Sequence, residues 1–297
     1  MKKISTKIIF FGTEDFSLAA LAGLIEADYD IVAVVTKPDS KKGRGQQRMA
    51  PAVKILATQH NIPVWQPEKL KDIENDIRTL APVAGILVSF GKIIPQSIID
   101  LFTPGIINVH PSLLPKYRGP SPIESAIMNG DDKTGVSIMQ LSSAMDAGPV
   151  YEAREYSLKG TETRTRLYQT LATEGTTLLI ESLPHILDGT LIPQPQNEDD
   201  ASYCPLLQKE DALLDPISLT AAEAERHIRA YAGFPKSKLT LNNRQTLIIT
   251  KAHVADAPNT SLDKSFKDGA FLCIDELIAP SGRTMDPAAF LRGYAAA

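Results

Sequence analysis

The fold class is decided by residues 7–35, KIIFFGTEDFSLAALAGLIEADYDIVAVV. The apolar run Lys7–Phe11 ends at Gly12 and predicts a buried strand. Thr13–Glu26 then carries apolar residues at helical spacing, and Ile31–Val35 predicts a second buried strand. A strand, a helix and a strand in this order are typical of a parallel βαβ unit.

The same alternation continues through the first half of the chain. It predicts further elements at Val53–Thr58 (helix), Val83–Phe90 (strand), Gln96–Phe102 (helix), Ile106–His110 (strand), Pro122–Met128 (helix) and Gly135–Leu141 (strand). We therefore expect an α/β domain with a Rossmann-like parallel sheet and helices on both faces. Such sheets bind their ligands in loops at the carboxyl ends of the strands.

The pattern changes after a long amphipathic stretch at Arg164–Leu187. Residues 188–190 stop that stretch, and the polar, proline-containing segment that follows predicts an extended linker. Beyond it we expect one helix and three short strands, at Ala221–Ala230, Lys238–Leu241, Thr246–Thr250 and Ala270–Cys273. Short strands with Asn and Gly between them predict a small, OB-like β-barrel. The predicted domains are a catalytic domain at 1–189, a linker at 190–205 and a C-terminal domain at 206–297.

Composition limits the possible classes of protein. The formal net charge of −4 argues against a protein that coats nucleic acid by bulk charge, although a local basic patch remains compatible with it. Cys204 and Cys273 form no CxxC pair, so neither a disulfide framework nor a zinc site is predicted. The N-terminal apolar run is too short for a signal peptide or a membrane span. We expect a cytoplasmic protein that does not associate with a membrane.

Residues 105–119, GIINVHPSLLPKYRG, carry the chemistry. Asn108 and His110 are two positions apart on a predicted strand, so both side chains point to the same face. Pro111 ends the strand and leaves the pair at its carboxyl end. An Asn amide can stabilise an oxyanion, and an imidazole can donate or accept a proton near neutral pH.

A carboxylate follows the next predicted strand, at Asp146 in the segment Met145–Gly148. Beside a histidine it could orient the ring, favour its protonation, or accept a proton from an attacking amine. Each residue taken singly also has a structural explanation, as a turn or cap residue. The segment Phe11–Phe16 lacks the repeated glycines of a dinucleotide site, so an oxidoreductase of that class is not predicted.

Residues 108–119, 134–139 and 145–148 together resemble the folate-dependent formyltransferases. The resemblance implies that Asn108, His110 and Asp146 are the catalytic residues and that 10-formyltetrahydrofolate is the formyl donor. It implies direct acyl transfer with no metal. It also implies a folate site formed by Ser112, Leu113, Leu114 and Pro115 and by the loop 88–95, with Phe90, Gly91 and Ile93.

The acceptor is predicted from other segments. Residues 36–48 hold five basic residues and one acid, and resemble the inserted loop of the methionyl-tRNA formyltransferases. A flexible basic loop can contact a phosphate backbone, although most such loops are only solvated. The resemblance implies that this loop binds tRNA through Lys37, Lys41, Lys42, Arg44 and Arg48.

The C-terminal region adds a second basic run. Six Lys or Arg residues and no acid lie between Arg226 and Lys251, although residues 206–297 are neutral overall. One barrel face that follows phosphates would explain this run, and so would a solvated face. Residues 202–211, 228–235 and 280–292 also resemble the methionyl-tRNA enzymes, although that family usually has a Trp at 232–235. We expect tRNA contacts at Arg229, Lys236 and Lys238, with initiator methionyl-tRNA as partner and the protein as a monomer.

Three other functions remain open on the sequence. A formyltransferase acting on a nucleotide-linked amino sugar would share the Asn108, His110 and Asp146 core. The hydrolase unit of formyltetrahydrofolate dehydrogenase would need a large further region. A non-catalytic tRNA- or folate-binding module would not need the three catalytic residues.

Overall fold

The structure is a computed structural model that describes residues 4–42, 46–82, 84–241 and 245–294. The described residues divide into two compact units. The first consists of Met1–Gly119, Gly135–Tyr156 and Tyr168–Tyr203, and the second of Pro120–Thr134, Ser157–Leu167 and Cys204–Ala297. The domain boundaries at 189 and 205 stay a prediction.

The elements follow one another along the chain as strands and helices. The strands are β1 Ile4–Gly12, β2 Tyr29–Val35, β3 Ser40–Lys42, β4 Gln47–Met49, β5 Val64–Trp65, β6 Ala84–Val88, β7 Gly105–His110, β8 Lys133–Gln140, β9 Val150–Ser157, β10 Lys238–Thr240, β11 Thr246–Ala255, β12 Lys264–Ser265, β13 Phe271–Ile278 and β14 Thr284–Met285. The helices are α1 Phe16–Glu26, α2 Ala52–Gln59, α3 Glu74–Leu80, α4 Gln96–Ile99, α5 Pro122–Asn129, α6 Arg164–Leu187, α7 Ala221–Ala230 and α8 Pro287–Tyr294.

A seven-stranded sheet has the order β5-β2-β1-β6-β7-β8-β9. The first five strands in this order are parallel, as predicted, whereas β8 pairs antiparallel with β7. From β1 the chain moves to β2 on one side, and β6 takes the place on the other side. In open α/β sheets ligands bind at such a reversal, which predicts a ligand site at the carboxyl ends of β1 and β6 and beside the end of β7.

Strands β1, β6 and β7 of this sheet are buried on both faces, which explains their unbroken apolar runs. Residues 8–11 of β1 are fully inaccessible to solvent. One of the core clusters joins β1 and β2 to the segment 70–106 and includes Phe11, Phe90 and Phe102. Phe11 makes edge-to-face ring contacts with the other two, at centroid distances of 5.8 and 6.0 Å.

The second unit contains an antiparallel sheet of order β10-β11-β13-β12, with β14 paired to β13. Its core combines α7, α8 and the inner face of this sheet. Helix α7 begins with a capping box in which Thr220 and Glu223 each bond the other's backbone N–H. The hydrogen bonds from Thr220 lower the pKa of Glu223 to about 2.

The structure adds elements that the pattern did not predict. Ser40–Lys42 and Gln47–Met49 form an antiparallel hairpin with Lys41 opposite Arg48, where a mobile loop was predicted. Strand β11 is twice as long as predicted. A bulge between Ile249 and Ala252 interrupts the alternation of apolar and polar residues, so the pattern did not reveal the second half of the strand. The predicted strand at 83–90 starts at a residue outside the described ranges.

Within the described ranges, no helix is long and apolar enough to cross a membrane. No group of His, Cys, Asp or Glu side chains in the same residues could hold a metal ion.

Candidate active site

Asn108 and His110 lie at the carboxyl end of β7, which lies between β6 and β8 in the sheet. Their partners on β8 are Met139 and Ser137, so both side chains leave the sheet on one face. Each is only 5% exposed. The predicted pairing of these two side chains follows directly from the regular geometry of the strand.

Asn108 is largely buried, but its amide is not among the fully buried polar groups without a partner, which in the described residues are Thr134 Oγ1 and Ser237 Oγ. The carboxyl end of β7 places this amide where sheets of this class bind their ligands. Its NH₂ group has two hydrogens to donate.

The imidazole of His110 is held at one nitrogen. Its Nε2 lies 2.9 Å from the carbonyl oxygen of Tyr117, and a carbonyl can only accept, so Nε2 carries a hydrogen. The other nitrogen, Nδ1, lies 3.7 Å from Oδ2 of Asp146. Nδ1 is therefore the ring atom that can take up and release a proton, and it does so beside a carboxylate.

Asp146 is fixed by both its side chain and its main chain. The backbone N–H of Gly119 donates to Oδ2 at 2.8 Å, and Asp146 has a φ of 49°, which Asp tolerates better than most residues. Two residues on, a Cβ at Gly148 would overlap the carbonyl oxygen of Gln140. The turn therefore needs glycine at 148, and the spacing of Asp146 to Gly148 has a steric cause.

The loop after β7 is closed by hydroxyl groups. Ser112 Oγ donates to the carbonyl of Lys116 at 2.6 Å. Ser137 Oγ donates to the carbonyl of Ser112 at 2.7 Å and accepts from the N–H of Leu114 at 3.1 Å. These contacts shape the loop that holds Ser112, Leu113, Leu114 and Pro115, the last three of which are half-buried.

The second predicted folate segment divides into buried and exposed residues. The Phe90 ring is 1% exposed and belongs to the core, whereas Ile93 is 85% exposed. Gly91 has a φ of 66°, and the ammonium group of Lys37 lies against it. Lys37 therefore lies beside the loop at the end of β6, and its role in tRNA binding stays a prediction.

The hairpin carries Lys41 and Arg48, both exposed. The backbone of Lys42 belongs to β3, and Arg44 lies outside the described residues. At the base of the hairpin, Lys54 Nζ contacts both oxygens of Asp39, at 2.8 and 3.0 Å, and Oε1 of Gln66, at 2.8 Å. The ammonium of Lys54 and the amide of Gln66 lower the pKa of Asp39.

The three predicted C-terminal tRNA residues differ in their surroundings. Arg229 forms two hydrogen bonds to Glu225, at 2.7 and 2.9 Å, and a third to the carbonyl of Glu162. Its charge is thus paired and only 13% of its side chain is exposed. Lys236 is exposed and Lys238 is half-buried on β10. A role in tRNA binding stays a prediction for all three.

Comparisons with known proteins identify the family. A family model described as formyl transferase matches residues 6–183. A methionyl-tRNA formyltransferase from Pelobacter propionicus is 38% identical over 97% of this chain and 93% of the relative. Another from Dictyoglomus turgidum is 48% identical over 70% of this chain and 67% of the relative. The chain belongs to the methionyl-tRNA formyltransferase family.

Solved structures agree with this family's fold. An N-formyltransferase from Helicobacter canadensis, solved with folinic acid and dTDP-3-aminofucose, matches with a TM-score of 0.69 and 18% identity. The match covers 91% of this chain and 99% of the N-formyltransferase. HypX from Aquifex aeolicus, solved with tetrahydrofolic acid, matches with a TM-score of 0.64 and 18% identity. The match covers 96% of this chain and 46% of HypX. At these identities the likeness concerns the fold alone.

In this formyltransferase-family chain the sequence reasoning missed one group of residues beside the site. The guanidinium of Arg118 is fully buried and donates to Gln196, Glu198 and Tyr203. Gln196 in turn donates to the backbone at Asp146. Arg118 belongs to the motif at 108–119, but no local pattern marks its partners, which lie about 80 residues further along the chain.

Proposed function

We propose that this member of the family transfers a formyl group from 10-formyltetrahydrofolate to the α-amino group of methionyl initiator tRNA. The observation that carries the proposal is the convergence of Asn108, His110 and Asp146 at the end of β7. The names of relatives that match 93% or more of their own length support the acceptor.

The reaction is a direct acyl transfer. The amine nitrogen attacks the formyl carbon, a tetrahedral oxyanion forms, and the bond from the formyl carbon to the folate nitrogen breaks. Asn108 donates to the oxyanion through its side-chain amide. Protonated Nδ1 of His110 is the second donor, and Asp146 stabilises that charge at 3.7 Å. The proton lost by the amine passes through this pair to the leaving nitrogen.

The folate would lie between the loop of residues 112–115 and the loop of residues 90–93. Because the Phe90 ring is in the core, this residue would contribute its backbone, and the exposed Ile93 would contribute an apolar contact. Leu113, Leu114 and Pro115 offer partly exposed apolar surface to a pterin ring.

The tRNA would contact the hairpin through Lys41, Lys42, Arg44 and Arg48. It would contact the C-terminal sheet at Lys238, with Lys236 just before the first strand of that sheet. We propose that this sheet closes as an OB-like barrel, whose strands suit a nucleic-acid backbone. Lys37, which lies against Gly91, would act at the folate end of the crevice.

The test is a panel of acceptors. The protein is incubated with 10-formyltetrahydrofolate and, in separate reactions, methionyl initiator tRNA, methionyl elongator tRNA and amino-sugar nucleotides. We expect formylation of the initiator tRNA at the highest rate. Formylation of an amino sugar without formylation of tRNA would show that the acceptor is a sugar nucleotide. Transfer to none of these acceptors would reject the assignment of formyltransferase activity.

A further inference from the structure

Asp146 is held by a chain of side chains that starts at a buried arginine. Arg118 is fully inaccessible to solvent. Its Nη1 and Nη2 each donate to one oxygen of Glu198 at 2.8 Å, and its Nε donates to Oε1 of Gln196 at 3.0 Å. Nη1 also donates to the hydroxyl of Tyr203 at 3.0 Å. A guanidinium with its donors so engaged has one orientation.

This arrangement fixes which way the Gln196 amide faces. Since Oε1 accepts from Arg118, the NH₂ group faces the opposite side. Nε2 donates to the carbonyl oxygens of Asp146 and Gly148, both at 2.7 Å. One amide therefore bridges the two carbonyls of the turn that carries the catalytic carboxylate.

The same turn is held from its other side. The N–H of Gly119, the residue after Arg118, donates to the carboxylate of Asp146 at 2.8 Å. The carboxylate and the main chain of Asp146 are thus both tied to one point of the chain, residues 118–119. The position of Oδ2 relative to Nδ1 of His110 depends on both ties.

We propose that Gln196, oriented by Arg118 and Glu198, is a positioning residue for Asp146 in formyl transfer. The inference rests on the proposed function, because it gives Asp146 a part in proton transfer. Neither Gln196 nor Arg118 is expected to touch the substrate. A carboxylate displaced by about 1 Å from the reacting groups can lower a rate by about 100-fold.

The experiment compares Gln196→Ala and Gln196→Glu with the wild-type chain. Alanine removes the bridge, and glutamate keeps the size and the pairing with Arg118 but cannot donate to the two carbonyls. Gln194→Ala is the matched control, because the Gln194 amide bonds only the carbonyl of Ile192 within the described residues. The measurements are kcat, KM for the folate, KM for the tRNA and the thermal midpoint.

We expect both Gln196 variants to lower kcat by about 10- to 100-fold while both KM values change by less than about threefold. The control should retain wild-type kcat. Gln196→Glu with wild-type kcat would overturn the proposal, since the donor would then be unnecessary. Equal effects in Gln194→Ala would also overturn it. If Gln196→Ala unfolds, Glu198→Gln perturbs the same hydrogen-bonded group of side chains at its exposed member and should lower kcat in the same way.

A second measurement does not need turnover. The ¹⁵N–¹H resonance of Gly119 reports on its hydrogen bond to the Asp146 carboxylate. Gln196→Ala should shift this resonance and speed its hydrogen exchange, while Gln194→Ala should not. If the wild-type protein transfers no formyl group but Gln196→Ala still shifts the Gly119 resonance, the proposed function is rejected and the positioning contact stands. An unmoved Gly119 would reject the positioning role itself.

Discussion

Replacing Asn108 with alanine isolates one proposed oxyanion donor. The side chain is 5% exposed and lies at the carboxyl end of β7, and alanine removes its amide without altering the backbone of the strand. We therefore expect the free energy of unfolding to change by less than about 1 kcal/mol. The effect should appear almost entirely in catalysis.

The size of the effect follows from the number of donors. Removing one donor of an oxyanion site raises the activation free energy by about 2.7–4 kcal/mol, or about 100- to 1,000-fold in kcat. His110 is still present in the variant, so residual transfer should remain measurable. Because the interaction strengthens only as the oxyanion forms, KM for the folate should change by less than about threefold.

The assay follows radiolabelled formyl transfer to methionyl initiator tRNA under single-turnover and steady-state conditions. Asn108→Asp keeps the shape of the side chain but removes both donors, and should be at least as slow. Asn75→Ala, on the exposed side of α3, is the control for a neutral truncation. A kcat within threefold of the wild type for Asn108→Ala would refute the assignment of the oxyanion donor.

Three further outcomes are expected. Asp39→Asn breaks the ion pair with Lys54 at the hairpin base and should weaken tRNA binding several-fold in filter binding, although removing an acid by charge alone would tighten it. The hydrogen bonds from Thr220 lower the pKa of Glu223 from 4.5 to about 2, so the ionised side chain stabilises the fold fully above pH 4.5. This stabilisation is lost as the pH falls from 4.5 to about 2. In urea unfolding, Glu223→Gln should therefore lose less stability over this pH range than the wild type. Gly148→Ala would force a Cβ onto a backbone carbonyl of β8 and should destabilise the chain by about 1–3 kcal/mol in thermal unfolding, with a loss of kcat.

The parts of the fold that could be predicted are those with unambiguous local signals. The bounds of α6 and α7 coincide with the predicted ones, because Asp188 and Gly189 stop the first helix and Thr220 caps the second. The buried strands β1, β2 and β7 were recognisable from their apolar runs. Their parallel order followed from the alternation with helices.

Other elements could not be predicted because their residues satisfy a different partner. Strand β9 is mostly exposed and carries charged side chains, so its hydrophobic pattern is weak. Apart from Met49 the hairpin strands Ser40–Lys42 and Gln47–Met49 are polar. The ion pair of Lys54 with Asp39 at their base joins positions 15 residues apart. Such contacts have no period in the sequence.

The candidate site divides in the same way. Asn108 and His110 could be paired from the two-residue period of a strand, whereas the approach of Asp146 to His110 depends on a turn with a positive φ. Lys37 was assigned to tRNA because of its neighbours in sequence. Its ammonium lies against Gly91, a contact that depends on the sheet order β2-β1-β6 and has no signal in the local sequence.

The segment 190–205 explains most clearly why a linker cannot be recognised by composition alone. It has few apolar residues, and this predicts that it buries little surface. Gln196 and Glu198 instead bond to Arg118 and to the turn at Asp146, contacts that polar side chains make without any hydrophobic signal. A polar composition therefore predicts that a segment buries little apolar surface, but it does not predict which hydrogen bonds the segment makes. In this chain the predicted catalytic motifs end at residue 148, but the amide that donates to the turn at Asp146 comes from residue 196.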